Sequence, residues 1–421
     1  MKQSFGGPGM HLAGADGLRA VACLGVIFHH LAQLLNMNLQ TPAIQEIQSF
    51  LLMGNAGVSV FFVLSGYLLA LPFWRGYLEQ GDFPQMKHYI LRRAARIVPG
   101  YYAALILCIA LVLILGIPSE SFWLRSLAGL TFTSGFHYVT FFPSEINGPL
   151  WSISFEVFSY LLLPLCMLGL FRLFGKRRSF KGAMGYWVGV MLVLLAVNQM
   201  IHMLLTPEPN MRSWDYGMIG GAKYWMPNYN PVGFFGHFAI GIIASGVVCR
   251  LQSTEERTAS LCKRGGFDVL GGLFLLGAVV LIWGARHQPE FSWSIQHQPY
   301  LFPWFALLVA GFLATAPYSR WLPAIVDNGF FRYTAKISFG LYIWHNLIMT
   351  LANKYWIADM HYFGIREVGR WIWIVLGVLA VSYLIATLSY YLIEKPVLDR
   401  AYLAGKRLPK PASKGAKNAN A

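Results

Sequence analysis

The chain is 421 residues long, 56% hydrophobic and only 12% charged, with a formal net charge of +15. A mean hydropathy of +0.50 excludes an ordinary soluble domain and a disordered chain, and marks an integral membrane protein. The basic residues sit in alternate loops between apolar runs, so the excess charge reads as membrane topology and lipid contact, and no nucleic-acid partner is expected.

Apolar runs long enough to span recur near 17–36, 51–71, 99–116, 148–171, 184–205, 232–249, 267–285, 298–316, 336–353 and 371–393. They predict an all-α polytopic membrane protein of about ten transmembrane helices. Loops on one side carry 25 Lys and Arg and those on the other 7, with Arg19 left over, which predicts that both termini are cytoplasmic. The first run lacks a charged leader and cleavage site, so it is expected to be retained rather than removed. A membrane domain is expected over 1–400, with no internal repeat or appended soluble domain, and a basic, disordered cytoplasmic tail over 401–421. The five cysteines, Cys23, Cys108, Cys166, Cys249 and Cys262, show no metal-ligand spacing and are expected to be reduced thiols.

In chain order, chemistry enters with the first run. Asp16 is a candidate N-cap three residues before Arg19, within ion-pair reach of it. Arg19 and His30 are eleven residues apart, so they share a helical face at a separation of roughly 16 Å along the axis. An imidazole ordinarily titrates near neutral pH, so His30 is the candidate general base or nucleophile. The plainer alternative is a buried histidine that joins two helices. His29 competes for the role but lies about 80° off that face. In the second run, Phe61-Phe-Val-Leu-Ser-Gly-Tyr67 reads as a small-residue packing face with one polar member, Ser65.

Residues 85–97 set Met86, Tyr89, Ile90 and Ile97 against Lys87, Arg92, Arg93 and Arg96, the pattern of a basic amphipathic helix on the inner membrane surface. Pro99 then suits the first turn of the third span. Arg93 and Arg96 share one face at the level of Arg19, where they either snorkel to lipid phosphates or join Arg19 around a polyphosphate ligand. The piece at 122–134, interrupted by Arg125, is expected to be interfacial or re-entrant. Glu156, with Ser152 one turn earlier, falls roughly 10–14 Å below the outer surface, where a carboxylate must be paired or neutral. Ser338, Tyr342 and His345 form an i, i+4, i+7 stripe that either binds substrate or holds helices together. Glu394, before Lys395 and Pro396, is expected to close the last span through an ion pair. No Gly-rich phosphate loop, metal-binding His pair or Gly-x-Ser-x-Gly occurs, and no metal is expected.

Taken together, Asp16-Gly-Leu-Arg19 with His30, Phe61-Phe-Val-Leu-Ser-Gly-Tyr67, Arg93-x-x-Arg96 and Leu150-Trp-Ser-Ile-Ser-Phe-Glu156 resemble the membrane acyltransferase-3 family of bacterial O-acyltransferases. The Leu341-Tyr-Ile-Trp-His345 and Glu394-Lys-Pro396 segments also look like that family, and the likeness extends over roughly 11–400. The resemblance implies transfer of an acyl group, most often acetyl, from cytoplasmic acyl-CoA to a hydroxyl of a periplasmic or extracellular-facing glycan or glycolipid. No permanently bound cofactor is implied; acetyl-CoA is a co-substrate. It implies that Arg19, Arg93 and Arg96 bind the donor's phosphates and that His30, with Glu156, carries catalysis as general base or as acyl carrier. Asp16, His29, Ser65, Ser152, Ser338, Tyr342 and His345 would support that site. It also implies a bacterial inner-membrane location. The larger members' extracytoplasmic hydrolase-like domain is not seen after the last span, so this chain is expected to complete transfer alone or pass the group to another protein. A homo-oligomer stays open. The competing class is a secondary transporter with an intramembrane His/Glu proton relay, which would call for inverted repeats and paired broken helices.

Overall fold

The computed structural model describes residues 14–175, 178–205, 210–253, 260–289 and 292–407. In chain order the helices are α1 (Ala15–Ala32), α2 (Pro42–Leu52), α3 (Gly57–Leu78), α4 (Met86–Ile114) and α5 (Phe122–Leu130). Next come α6 (Trp151–Phe174), α7 (Phe180–Leu205), α8 (Gly217–Trp225), α9 (Pro231–Gln252) and α10 (Gly266–Ala285). The last are α11 (Trp304–Thr315), α12 (Leu322–Val326), α13 (Gly329–Tyr355), α14 (Val368–Ser389) and α15 (Lys395–Arg407). Among the described residues, the one β-type pairing is an isolated bridge between Leu35 and Ile365. The chain is an all-α polytopic membrane protein. Each of the ten apolar runs overlaps a helix, and among the described residues eight stretches are long and apolar enough to cross a membrane. The other two runs fall on α13, which carries the polar stripe, and on α11, which has 12 residues.

Burial separates core from periphery. The apolar windows of the α2–α3 stretch and of α9 are 78% and 83% buried, whereas those of α7 and α10 are 6% and 17% buried and turn outward to lipid. Lipid tails are as apolar as leucine, so close backbone approach, not hydrophobicity, joins the inner helices. At the α3–α9 crossing a Cβ on Gly66 would lie 2.0 Å from the Phe238 carbonyl oxygen, and one on Gly241 2.0 Å from that of Val63. The Ser-Gly pair of the second run is therefore a packing face, with Ser65 left to point elsewhere.

Four expectations are corrected. The amphipathic 85–97 segment is no separate surface helix: α4 runs unbroken from Met86 to Ile114, with Pro99 in its interior rather than at its start. Membrane helices tolerate an interior proline because neighbouring groups satisfy the freed carbonyl. The eighth run, placed at 298–316, becomes helical only at Trp304. Pro299 and Pro303 push their preceding residues out of the helical region, and Tyr300 and Leu301 take positive φ of 61° and 54°. That irregular backbone is buried in protein, as membrane depth demands. The tail boundary at 401 falls inside α15, where an amphipathic pattern carries the helix on to Arg407; residues 408–421 lie outside the described residues, as do Lys2, Lys176, Arg177 and Arg257 of the charge count. Finally, Asp16 does not cap α1: Gly14 is the N-cap residue, and Asp16 sits inside the first turn. Asp327, just before α13, supplies the carboxylate, accepting from Gly14 N–H at 2.6 Å and Gly17 N–H at 2.8 Å. Those unpaired N–H groups and the positive end of the helix dipole explain the preference for an anion there.

Within 122–134 lies the short helix α5, which shows how Arg125 is tolerated. Its guanidinium is buried, donates to Phe142 O at 2.8 Å and pairs with Glu145, which pins the loop between α5 and α6 onto the bundle. All five cysteines are free thiols, with Cys23, Cys108 and Cys249 buried.

Candidate active site

One cavity of about 700 Å³, counting the space at its mouth, opens among α1, α3, α4, α6 and α13. It collects eight of the twelve residues singled out from sequence: Arg19, Ser65, Arg93, Arg96, Ser152, Glu156, Ser338 and Tyr342 line its wall. They enter from five helices spread along the chain, so their convergence is a product of helix packing. Asp16, Tyr160, Arg93 and Arg96 are the charged and polar neighbours that act electrostatically on Arg19. Among the described residues, no protein acceptor hydrogen-bonds to Arg19 or Arg93, and the Asp16 carboxylate acts on Arg19 through charge alone; Arg93 lies 5.9 Å from the Tyr160 ring centroid. Arg96 lies 5.9 Å from the Phe339 ring and 3.8 Å from the Glu394 carboxylate. Three guanidinium groups thus offer planar, bidentate donors to a common space with few protein acceptors. That is the chemistry of a site for a multiply charged anion.

Glu156 is held rather than free. Its Oε1 accepts from Ser65 at 3.2 Å and from the Tyr160 hydroxyl one turn on in α6. Arg93, Tyr160, Glu156 and Ser65 therefore form one connected line along the cavity. Farther in, Ser152 and the Tyr342 hydroxyl are 2.7 Å apart, and both also reach the Pro149 carbonyl. Ser338 lines the wall with its hydroxyl turned back to Ala335 O at 2.8 Å.

His30 and His345 do not line this cavity. They meet behind Tyr342, whose ring centroid is 6.2 Å from that of His345 and 5.8 Å from that of Phe61. Carbonyl oxygens only accept hydrogen bonds, so the network fixes the tautomers. His345 Nδ1 donates to Leu341 O at 3.0 Å, which leaves its Nε2 as an acceptor. His30 Nδ1 lies 3.1 Å from that Nε2 and 3.0 Å from Val26 O, so it must carry the proton. The free lone pair of His30 is therefore on Nε2, which has no partner among the described residues. His29 is different: its Nδ1 donates to Leu52 O at 2.5 Å and its Nε2 accepts from Gln33 at 3.2 Å. Both nitrogens are occupied, so His29 ties α1 to α2.

The stripe Ser338, Tyr342, His345 thus divides: two members face the cavity and the third faces His30. Sequence reasoning missed Tyr160, although its i+4 spacing from Glu156 was a usable signal, and Asp327, for which no local pattern exists. Glu394 does form an ion pair, but with Arg96 of the cavity; Lys395 pairs with Asp399 at 2.6 Å instead.

The inner helices thus surround a cationic cavity with a histidine pair behind it. Residues 12–390 match the acyltransferase-3 family model, described as an acyltransferase domain. The chain belongs to that family. It is 24% identical over 427 residues to O-acetyltransferase OatA of Staphylococcus aureus strain MRSA252, covering 97% of this chain and 60% of that protein. Against OatA of strain NCTC 8325 / PS 47 it is 24% identical over 420 residues, covering 95% and 59%. A protein of strain COL described as a "Putative O-acetyltransferase" is 22% identical over 410 residues, covering 92% and 57%. The chain therefore spans 57 to 60% of the length of these relatives. No solved structure matches.

Proposed function

We propose that this chain is a membrane O-acyltransferase of the bacterial inner membrane. It moves an acyl group, most simply acetyl, from cytoplasmic acetyl-CoA to a hydroxyl of a glycan or glycolipid facing outward. Ten spans and cytoplasmic termini complete the reading, since they put Arg93 and Arg96 on the donor's side. The observation that carries it is the cavity: Arg19, Arg93 and Arg96 converge there, and among the described residues the ion pair recorded for these three is Arg96 with Glu394. Coenzyme A presents three phosphate groups to match, and guanidinium forks grip phosphate bidentately. The O-acetyltransferase names of the relatives agree with it.

In this reading the arginines hold the phosphates, Glu156 with Ser65 and Tyr160 braces the wall, and the thioester end points towards Tyr342. His30 Nε2 takes the proton of the acceptor hydroxyl. The acceptor oxygen bonds to the thioester carbonyl carbon, the carbon–sulfur bond breaks, and the proton returns from Nε2 to the leaving thiolate. His345 Nε2, as a hydrogen-bond acceptor, stabilises the imidazolium in between. A transporter would need the same buried polar groups but no thioester cleavage.

The test is transfer of labelled acetyl from acetyl-CoA in inverted membranes or proteoliposomes. Wild type should label a glycan or lipid and release coenzyme A. His30→Ala should lose about 10²- to 10⁴-fold in kcat, the range of general acid–base catalysis, and Arg19→Ala should raise KM for the donor. Label trapped on the protein and released by hydroxylamine would replace the general base with an acyl-histidine. A well-folded wild type that moves solute without consuming acyl-CoA would overturn the enzyme reading in favour of transport.

A further inference from the structure

The Glu394-Lys-Pro396 segment lies at the other end of the sequence from α1, yet its carboxylate is buried beside the donor cavity. Glu394 is 0% exposed, and its Oε2 has no hydrogen-bond partner among the described residues. A buried carboxylate without full hydrogen bonding is costly, so a structural role alone explains it poorly. It is carried on a π-turn, Tyr390–Glu394, inserted between α14 and α15. The i→i+5 bonding of that turn brings Glu394 back under Ser389, where a regular α-helix would carry it roughly 140° round. Ser389 Oγ accordingly reaches Glu394 Oε1 at 3.5 Å.

What faces this carboxylate is Arg96, with Nη1 3.8 Å from Oε2. The distance is that of an ion pair but longer than a hydrogen bond. On another side of the same guanidinium lies the Phe339 ring, 5.9 Å away. Room for both is made at Gly100, one turn after Arg96 in α4. A Cβ there would come to 2.9 Å from Phe339 Cε1 and 3.4 Å from Glu394 Cγ. Arg96 is aimed by a ring and a charge while its donors stay uncommitted.

We propose that Glu394 is the positioning residue of Arg96: the π-turn of the last span presents a buried carboxylate that orients this guanidinium for an anionic phosphate group in the cavity. The proposal rests on the donor-binding reading of that cavity for its ligand, and on the Arg96–Glu394 geometry for the pairing itself. It has a counterintuitive sign. Removing a negative charge beside a cationic cavity should, by Coulomb's law alone, tighten anion binding. Removing a positioning group should weaken it.

The experiment uses the full chain in nanodiscs, with coenzyme A binding by calorimetry and acetyl-CoA kinetics on wild type, Glu394→Gln, Ser389→Ala, Arg96→Gln and the Glu394→Gln/Arg96→Gln double variant. Expected are a rise of about tenfold in Kd and KM for Glu394→Gln with kcat nearly unchanged, the mark of lost uniform binding. Ser389→Ala, which loosens the carboxylate without changing charge, should give a smaller rise in the same direction. The double variant should be no worse than Arg96→Gln alone. Unchanged or tighter binding by Glu394→Gln would overturn the proposal. If wild type binds no coenzyme A, the donor reading falls, and thermal unfolding of the same four-member cycle of wild type, Glu394→Gln, Arg96→Gln and the double variant decides the pairing alone. Additive shifts there would refute it, and non-additive shifts would uphold it.

Discussion

The histidine pair yields the sharpest prediction, because its hydrogen bonds assign different roles to three histidines. His345→Ala removes one of the two acceptors on His30 Nδ1 and leaves the other, Val26 O at 3.0 Å. The tautomer of His30 therefore survives, and Nε2 keeps its lone pair. What is lost is a hydrogen bond to the imidazolium that forms when Nε2 takes up a proton. Hydrogen bonds to charged groups contribute about 1.5–3 kcal/mol, which corresponds to about 10- to 150-fold in rate. Since Val26 O still accepts, the loss in kcat should lie near the lower end, about 10- to 30-fold. KM for the donor should not move, because His345 is absent from the cavity wall.

The assay is steady-state acetyl transfer in proteoliposomes, with thermal unfolding as a check that each variant is folded. The expected order of severity is His30→Ala, then His345→Ala, then His29→Ala, whose ring nitrogens are both occupied by Leu52 O and Gln33. His345→Ala as severe as His30→Ala would make His345 the base and refute the tautomer argument. A change confined to KM would refute the separation of the histidine pair from the donor cavity.

Other outcomes follow from packing. Asp327→Ala deletes two charge-assisted bonds to the first turn of α1, so unfolding should come earlier by about 1–2 kcal/mol, with a rise in donor KM because Arg19 follows directly on that turn; an unchanged melting midpoint would contradict this. Gly241→Ala puts a Cβ 2.0 Å from a backbone oxygen of α3 and should cost about 3 kcal/mol or more, seen as loss of folded protein in size-exclusion profiles; a wild-type profile would show that the crossing is looser than described.

The helical class and the positions of the runs were legible because a bilayer imposes length and apolarity on anything that crosses it. Arg19 and Glu156 were legible for a related reason, since charge inside an apolar run is conspicuous in sequence, and Arg93 and Arg96 were legible from their shared face on a basic amphipathic segment. What a helical wheel does not contain is the partner helix. Nothing near Asp16 tells that the cap comes from Asp327, 310 residues beyond Gly17. Pro99 reads as a helix start in isolation and is an interior residue once neighbouring helices satisfy α4. The π-turn escapes periodicity altogether, since one inserted register shift redirects Glu394 while leaving the apolar pattern of the last span intact.

The face shared by Arg19 and His30 looks at first like a single site, but the packing divides it. Phe61 and Tyr342 stand where the cationic cavity ends, and the imidazoles lie behind them. In the proposed reaction this division has a chemical use. Phosphates gripped by the arginines stay where three positive charges offset their desolvation, and moving them to the imidazoles would strip them of that compensation. An acyl thioester carries no charge, so it alone can pass the aromatic pair at little electrostatic cost. The roughly 16 Å between Arg19 and His30 along α1 is then the length over which a neutral, flexible arm must reach. The helix that carries both residues fixes that length, and Asp327 fixes the helix end from which it is measured.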